Sequence, residues 1–154
     1  NSHAAHNCEV GDHVIMANGT LLGGYVTVGE RSFIGGGAAV HQFCHIGRLA
    51  MVGAMGTITK DLPPFCTSLS SANSRVGGLN LVGLRRAGLD AAQRAQIKQA
   101  FATLYRSGLN TSQAQDRLRA ETGNPFAAEF AEFLAQATRG ICRPSFDIAT
   151  ASDA

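Results

Sequence analysis

Residues 34–53 read Ile34-Gly35-Gly36-Gly37-Ala38-Ala39-Val40-His41-Gln42-Phe43-Cys44-His45-Ile46-Gly47-Arg48-Leu49-Ala50-Met51-Val52-Gly53. Every sixth residue is aliphatic: Ile34, Val40, Ile46, Val52. The period runs outward without insertion. Ala4, Val10, Met16, Leu22 and Val28 precede it, and Ile58 follows. The residue after each is usually Gly or Ala, as in Ala5, Gly11, Ala17, Gly23, Gly29, Gly35, Gly47 and Gly53. Two places before each aliphatic stand short side chains, among them Cys8, Thr20, Ser32, Ala38, Cys44 and Ala50.

A six-residue period of this kind predicts a triangular β-helix. Each block is one short strand and one corner; the aliphatic points into a narrow core, and its neighbour sits where bulk is poorly tolerated. Three blocks close a coil of about 18 residues, so residues 4–61 give about three coils. An antiparallel sheet of period two would not place Gly or Ala at every sixth position. The expectation is a left-handed parallel β-helix, an exception to right-handed crossovers. It covers 1–64, because Pro63-Pro64 cannot donate to a ladder.

Residues 65–78, rich in Ser and Gly, read as a connecting loop. From Leu79 the period becomes helical, so 65–143 form a loop and a C-terminal α-helical domain. Asp90 caps a helix to about Ser107, Thr111 caps a second to about Thr122, and Pro125 opens a third ending near Gly140. Residues 144–154 carry no pattern and read as a disordered tail.

Bulk properties narrow the functional classes. The 154 residues are 45% hydrophobic and 16% charged, with net charge +2. No basic field points to nucleic acid, and no apolar run is long enough for membrane insertion. The four cysteines are widely spread and form no CxxC pair. Reduced thiols and a cytoplasmic location are expected. The chain opens on Asn1, which suggests a start inside a longer product.

Stacking converts spacing into geometry. Residues 18 apart lie above one another, about 4.8 Å per coil. His6, Gly24, Gln42 and Lys60 therefore share a column, and His41 stands over Gly23 and Ala5. A glycine stacked on His6 leaves room beside the imidazole and exposes its own N–H. Acyl transfer to a hydroxyl needs those two groups: a neutral imidazole to take the proton and a backbone N–H to receive the oxyanion. Zinc is the alternative, from His3/His6 and His41/His45, although corners separate these pairs. A purely structural histidine set is another. No GxSxG elbow is present, and Cys8 and Cys44 fall in the inward column, where thiols are inert.

The runs Ser2-His3-Ala4-Ala5-His6-Asn7-Cys8, Gly23-Gly24 and Ala39-Val40-His41-Gln42-Phe43 carry a resemblance. So do Asp61-Leu62-Pro63-Pro64, the stretch from Gly78 to Arg86, Leu104-Tyr105-Arg106-Ser107-Gly108 and Thr138-Arg139-Gly140. In this order they resemble the bacterial acyl-ACP–UDP-N-acetylglucosamine O-acyltransferases that start lipid A biosynthesis. The resemblance implies transfer of a 3-hydroxyacyl group from acyl carrier protein to the 3-hydroxyl of UDP-N-acetylglucosamine by a homotrimer. It needs no cofactor or metal, the phosphopantetheine arriving with the donor. It implies His6 as general base and Gly24 as oxyanion donor. His3, His41 and Gln42 fall on substrate-contacting positions. Arg85 and Arg86 fall on or beside a basic cluster for nucleotide phosphate and carrier protein, where guanidinium suits both; a solvated helix end is the simpler reading. Ala54, in column with Gly36 and Asn18, matches the position that sets acyl length.

Four departures stand out. Asn7 replaces an Asp, Tyr25 replaces a frequent His, Ala87 replaces a basic residue, and the loop before Gly78 lacks a Gly-Asn pair. The family's N-terminal coils are also absent from these residues. Two readings follow: an O-acyltransferase or a piece of one, and a catalytically weak trimeric scaffold that keeps a nucleotide-sugar or carrier-protein site.

Overall fold

The computed structural model describes residues 1–70 and 74–146. Ten two-residue strands follow the hexad period: β1 (His3–Ala4), β2 (Glu9–Val10), β3 (Ile15–Met16), β4 (Leu21–Leu22), β5 (Thr27–Val28), β6 (Phe33–Ile34), β7 (Ala39–Val40), β8 (His45–Ile46), β9 (Met51–Val52) and β10 (Thr57–Ile58). They build three parallel faces: β1-β4-β7-β10, β2-β5-β8 and β3-β6-β9. Registers such as His3↔Leu21 and Leu21↔Ala39 give the 18-residue coil of a parallel β-solenoid.

The hexad aliphatics fill the core. Leu22, Val28, Ile34, Ile46, Val52 and Ile58 are essentially inaccessible, as are Thr20, Ser32 and Ala38 from the short-residue column. Polar members of that column are satisfied internally; Ser32 Oγ donates to the Gly47 carbonyl at 2.7 Å. The glycine column is explained by close approach of the next coil. A Cβ at Gly23 would lie 2.6 Å from the backbone nitrogen of Gln42, which no side chain tolerates.

The corners carry a feature that composition hides. Asn7, His13, Tyr25, Arg31, Phe43, Leu49 and Met55 all have φ between 55° and 64°, as Gly19 and Gly37 have positive φ. Left-handed non-Gly residues cost on the order of 1 kcal/mol or more each. A second ladder offsets this. From the second coil on, the N–H of each such residue donates to the preceding coil, as in Arg31 to Asp12 (2.8 Å) and Leu49 to Glu30 (2.9 Å).

The solenoid does not stop at the prolines. β11 (Cys66–Ser68) pairs parallel with β9, and β12 (Arg75–Leu79) pairs antiparallel with β11. The stretch expected as a loop over 65–78 is therefore largely sheet, apart from 71–73, which lie outside the described residues. The coil is two residues shorter here: Thr67 sits over Met51 and Leu62 over Ile46. The shortening follows Ile58, so the hexad count loses step just where the strand continues. Pro64 is accommodated because Phe65 carries the ladder bond to Arg48 (2.9 Å).

Four helices follow: α1 (Leu81–Arg86), α2 (Ala91–Tyr105), α3 (Thr111–Ala120) and α4 (Pro125–Gln136). Asp90 and Gln93 form a capping box on α2. The cap of α3 is Asn110 rather than Thr111, with Gln113 closing the box. Asn124 caps α4: its Oδ1 accepts the N–H of both Phe126 (3.1 Å) and Ala127 (3.2 Å), and Pro125 occupies the first turn. Phe126 and Phe130 pack on Phe65, with ring centroids 5.7 and 5.6 Å away. Arg48, at a solenoid corner, binds Glu129 of α4 through Nε (3.0 Å) and Nη2 (2.9 Å).

The expected disordered tail begins differently. β13 (Arg143–Pro144) pairs with β12, and Phe146 meets Phe101 at 6.2 Å. Residues 147–154 lie outside the described residues. Tyr105 Oη donates to the Cys142 carbonyl at 2.7 Å, which ties α2 to this strand. Asp61, at 1% exposure, accepts the His45 N–H at 2.7 Å. Burial raises its carboxyl above the ordinary value, against the pull of the His45 amide.

Candidate active site

His6 occupies the corner after β1, and Gly24 the equivalent corner one coil on. The fold brings them into contact. A Cβ placed on Gly24 would fall 2.8 Å from both Cε1 and Nε2 of His6. Only glycine fits beneath this imidazole. The Gly24 N–H donates to no acceptor among the described residues, while its carbonyl accepts from Phe43 at 3.0 Å. Gly24, its N–H unpaired, thus lies against the ring edge that bears Nε2.

Asn7 orients the ring. Its Oδ1 lies 3.2 Å from His6 Nδ1. An amide oxygen only accepts, so this contact favours the neutral tautomer with the proton on Nδ1 and the lone pair on Nε2. Asn7 thereby favours the tautomer whose Nε2 can accept a proton. It supplies no charge to stabilise the imidazolium.

The other sequence-derived residues lie on several parts of the fold, and the cavity that Arg86 lines includes neither His6 nor Gly24. His3 lies exposed on β1, three residues upstream of His6. His41 and Gln42 are exposed on the corner after β7, and His41 Nδ1 is 3.1 Å from the Gln42 carbonyl. Arg85 and Arg86 form the last turn of α1. They separate there: Arg86 lines a cavity of about 550 Å³ and Arg85 does not. Ala54 is exposed at a different corner and lies outside the lining of that cavity.

The cavity itself was not anticipated. Its floor is the outward column Ile15, Phe33 and Met51, and its rim holds Asn80 and Arg86. Its signal is present in the sequence. Those three residues each precede a hexad aliphatic, at intervals of 18, so they share one outer face. Asn80 builds the rim: its Oδ1 caps α1 at Gly83 (3.0 Å), and its Nδ2 donates to the Leu49 carbonyl (2.9 Å). Arg86 lines the cavity from α1 beside Ala87, and Arg31 and His13 line it from the solenoid.

Among the described residues no group of three or more His, Cys, Asp or Glu side chains is placed to hold an ion. Three of the thiols are unsuited to nucleophilic work: burial pushes Cys44 up to about 11, Cys142 up to about 12, and Cys66 well above the ordinary thiol value. No helix among the described residues is long and apolar enough to cross a membrane.

Comparison with known proteins agrees with this geometry. The family profile described as Udp N-acetylglucosamine O-acyltransferase; Domain 2 matches residues 61–142. The chain belongs to that family. It is 45% identical over 137 residues to the acyl-[acyl-carrier-protein]–UDP-N-acetylglucosamine O-acyltransferase of Gloeothece citriformis, covering 89% of this chain and 49% of that protein. To the enzyme of the same name from Anaeromyxobacter sp. strain K it is 41% identical, with 92% and 55% covered. The UDP-N-acetylglucosamine O-acyltransferase structure from Moraxella catarrhalis superposes with TM-score 0.87 at 32% identity, over 93% of this chain and 56% of the other. The Arabidopsis UDP-N-acetylglucosamine acyltransferase gives 0.85 at 30%, over 92% and 53%. The chain spans about half the length of the curated relatives it matches.

Proposed function

We propose that this chain carries the acyl-transfer centre of an acyl-ACP–UDP-N-acetylglucosamine O-acyltransferase. The observation that carries this reading is the seating of His6 on Gly24 beside an undonated N–H. His6 Nε2 takes the proton of the sugar 3-hydroxyl as that oxygen attacks the thioester carbonyl. The Gly24 N–H receives the oxyanion. Collapse expels the phosphopantetheine thiol, which recovers the proton from the imidazolium.

The cavity supplies fitting surfaces. Its floor at Ile15, Phe33 and Met51 suits an apolar group, and His6, Gly24 and Ala54 lie outside its lining within the single chain. Arg86 on its rim suits a nucleotide phosphate, and Arg85, pointing elsewhere on the same turn, is available to an acidic carrier protein. His3, His41 and Gln42 are read as sugar contacts, and Ala54 as the residue whose size limits the acyl chain. The working particle is read as a cytoplasmic homotrimer. Exposed Leu21 and Met55, 53% and 75% accessible, give a second copy apolar surface to cover.

The test is product formation. Residues 1–154 are mixed with 3-hydroxyacyl carrier protein and UDP-N-acetylglucosamine, and the sugar nucleotide is weighed by mass spectrometry. The expected product is heavier by one 3-hydroxyacyl group. No mass increase, from a sample that keeps its fold, would overturn the reading.

A further inference from the structure

Two large aromatic rings stand exposed on the corners next to His6. Tyr25 is 49% accessible and Phe43 is 51%. They occupy equivalent left-handed positions, with φ of 59° and 64°. Their backbones are pinned to the site: the Tyr25 N–H donates to the carbonyl of His6 (3.1 Å), and the Phe43 N–H to that of Gly24 (3.0 Å).

The rings form a chain that ends on the imidazole. Tyr25 meets the His6 ring at 5.2 Å and 86°, edge to face. Phe43 stacks on Tyr25 at 5.2 Å and 14°. Both geometries are those the ring quadrupoles favour. The Tyr25 hydroxyl has no hydrogen-bond partner among the described residues, so the contact belongs to the ring and not to its polar tip. His6 is otherwise an exposed side chain on a corner, free to sample several rotamers. Asn7 fixes only Nδ1, and Gly24 offers a surface without a side chain.

We infer that Tyr25, braced by Phe43, is a positioning residue for the His6 base. The aromatic contact holds the imidazole in the rotamer that lays Nε2 against Gly24. An edge-to-face pair favours one orientation by a few-fold up to about tenfold, and near-attack geometry multiplies that into rate. This rests on the reading of His6 as the base.

The experiment uses residues 1–154 labelled with ¹⁵N-histidine, as the parent, Tyr25→Phe and Tyr25→Leu. Imidazole ¹H–¹⁵N spectra are assigned to His6 through His6→Gln, and kcat and KM are measured on the same samples. Tyr25→Phe is expected to keep the His6 ring shifts and tautomer, with kcat within about threefold. Tyr25→Leu is expected to shift the His6 ring protons and mix its tautomers. Its kcat should fall about tenfold while KM changes little. Parent-like His6 signals and kcat in Tyr25→Leu would overturn the inference. So would a loss confined to KM, or a changed sedimentation coefficient, which would make the stack an interface. If the parent shows no turnover, the base reading fails by itself, and the spectra alone decide whether Tyr25 orients the ring.

Discussion

The imidazole of His6 lies so close to Gly24 that a single methyl group cannot be added between them: the nearest ring atoms would be 2.8 Å from it. Gly24 has ordinary backbone torsions, since it is absent from the residues of positive φ. Alanine is therefore tolerated by the backbone and refused by the histidine. His6 is exposed and can swing away. Gly24→Ala should leave the melting temperature within a few degrees and lower kcat by about 10²-fold or more. Calorimetry and steady-state kinetics on the same sample check both halves.

Arg85 and Arg86 should separate in kinetics as they do in space. Only Arg86 lines the cavity beside Asn80. Arg86→Ala should raise KM for UDP-N-acetylglucosamine about tenfold or more, the loss expected for a phosphate-binding guanidinium. Arg85→Ala should leave that KM within about threefold. Titrating each variant against both substrates gives the comparison.

Asn80 has two tasks with one side chain, capping α1 and filling the need of a buried Leu49 carbonyl. Asn80→Ala loses a cap and leaves a buried acceptor unpaired. The expected cost is about 2 kcal/mol in urea unfolding. Because α1 also carries Arg86, sugar-nucleotide affinity should fall with it.

His45 links stability to pH. Burial lowers its imidazole below the usual 6.5, opposed by Asp61. The folded state then binds fewer protons than the unfolded chain just below pH 6.5. Stability contributed by neutral His45 is present above 6.5 and is lost as pH falls toward the folded value. Its ring also packs on Phe133 at 4.6 Å, so charging it weakens the seam to α4. Melting temperatures across pH 5–7 should decline toward acid in the parent and less steeply in His45→Gln. Parallel curves would contradict this.

The period of six made the solenoid legible, because every coil repeats one steric demand: an aliphatic inward and a neighbour without bulk. The same counting put Gly24 over His6 before any coordinates. Counting failed where the coil shortens. Thr67 stands 16 residues above Met51, not 18, and Cys66-Thr67-Ser68 has no hexad to announce a strand. β12 is harder still, since Gly77 and Gly78 read as loop while a side chain at Gly77 would strike Leu69. The caps at Asp90 and Pro125 are legible in the sequence, whereas the cap of α3 falls on Asn110, one residue before the expected Thr111, and both residue types cap helices. The cavity floor was readable from Ile15, Phe33 and Met51, but its rim was not. It depends on Asn80 reaching back 31 residues to Leu49, a contact that no local pattern encodes.

The most direct test is the rate of acyl transfer to UDP-N-acetylglucosamine by residues 1–154 beside His6→Ala, at saturating donor. A base that also meets the oxyanion donor should account for most of the rate, so His6→Ala is expected to lose at least about 10²-fold in kcat while keeping its fold. Equal turnover by the two proteins would contradict the account.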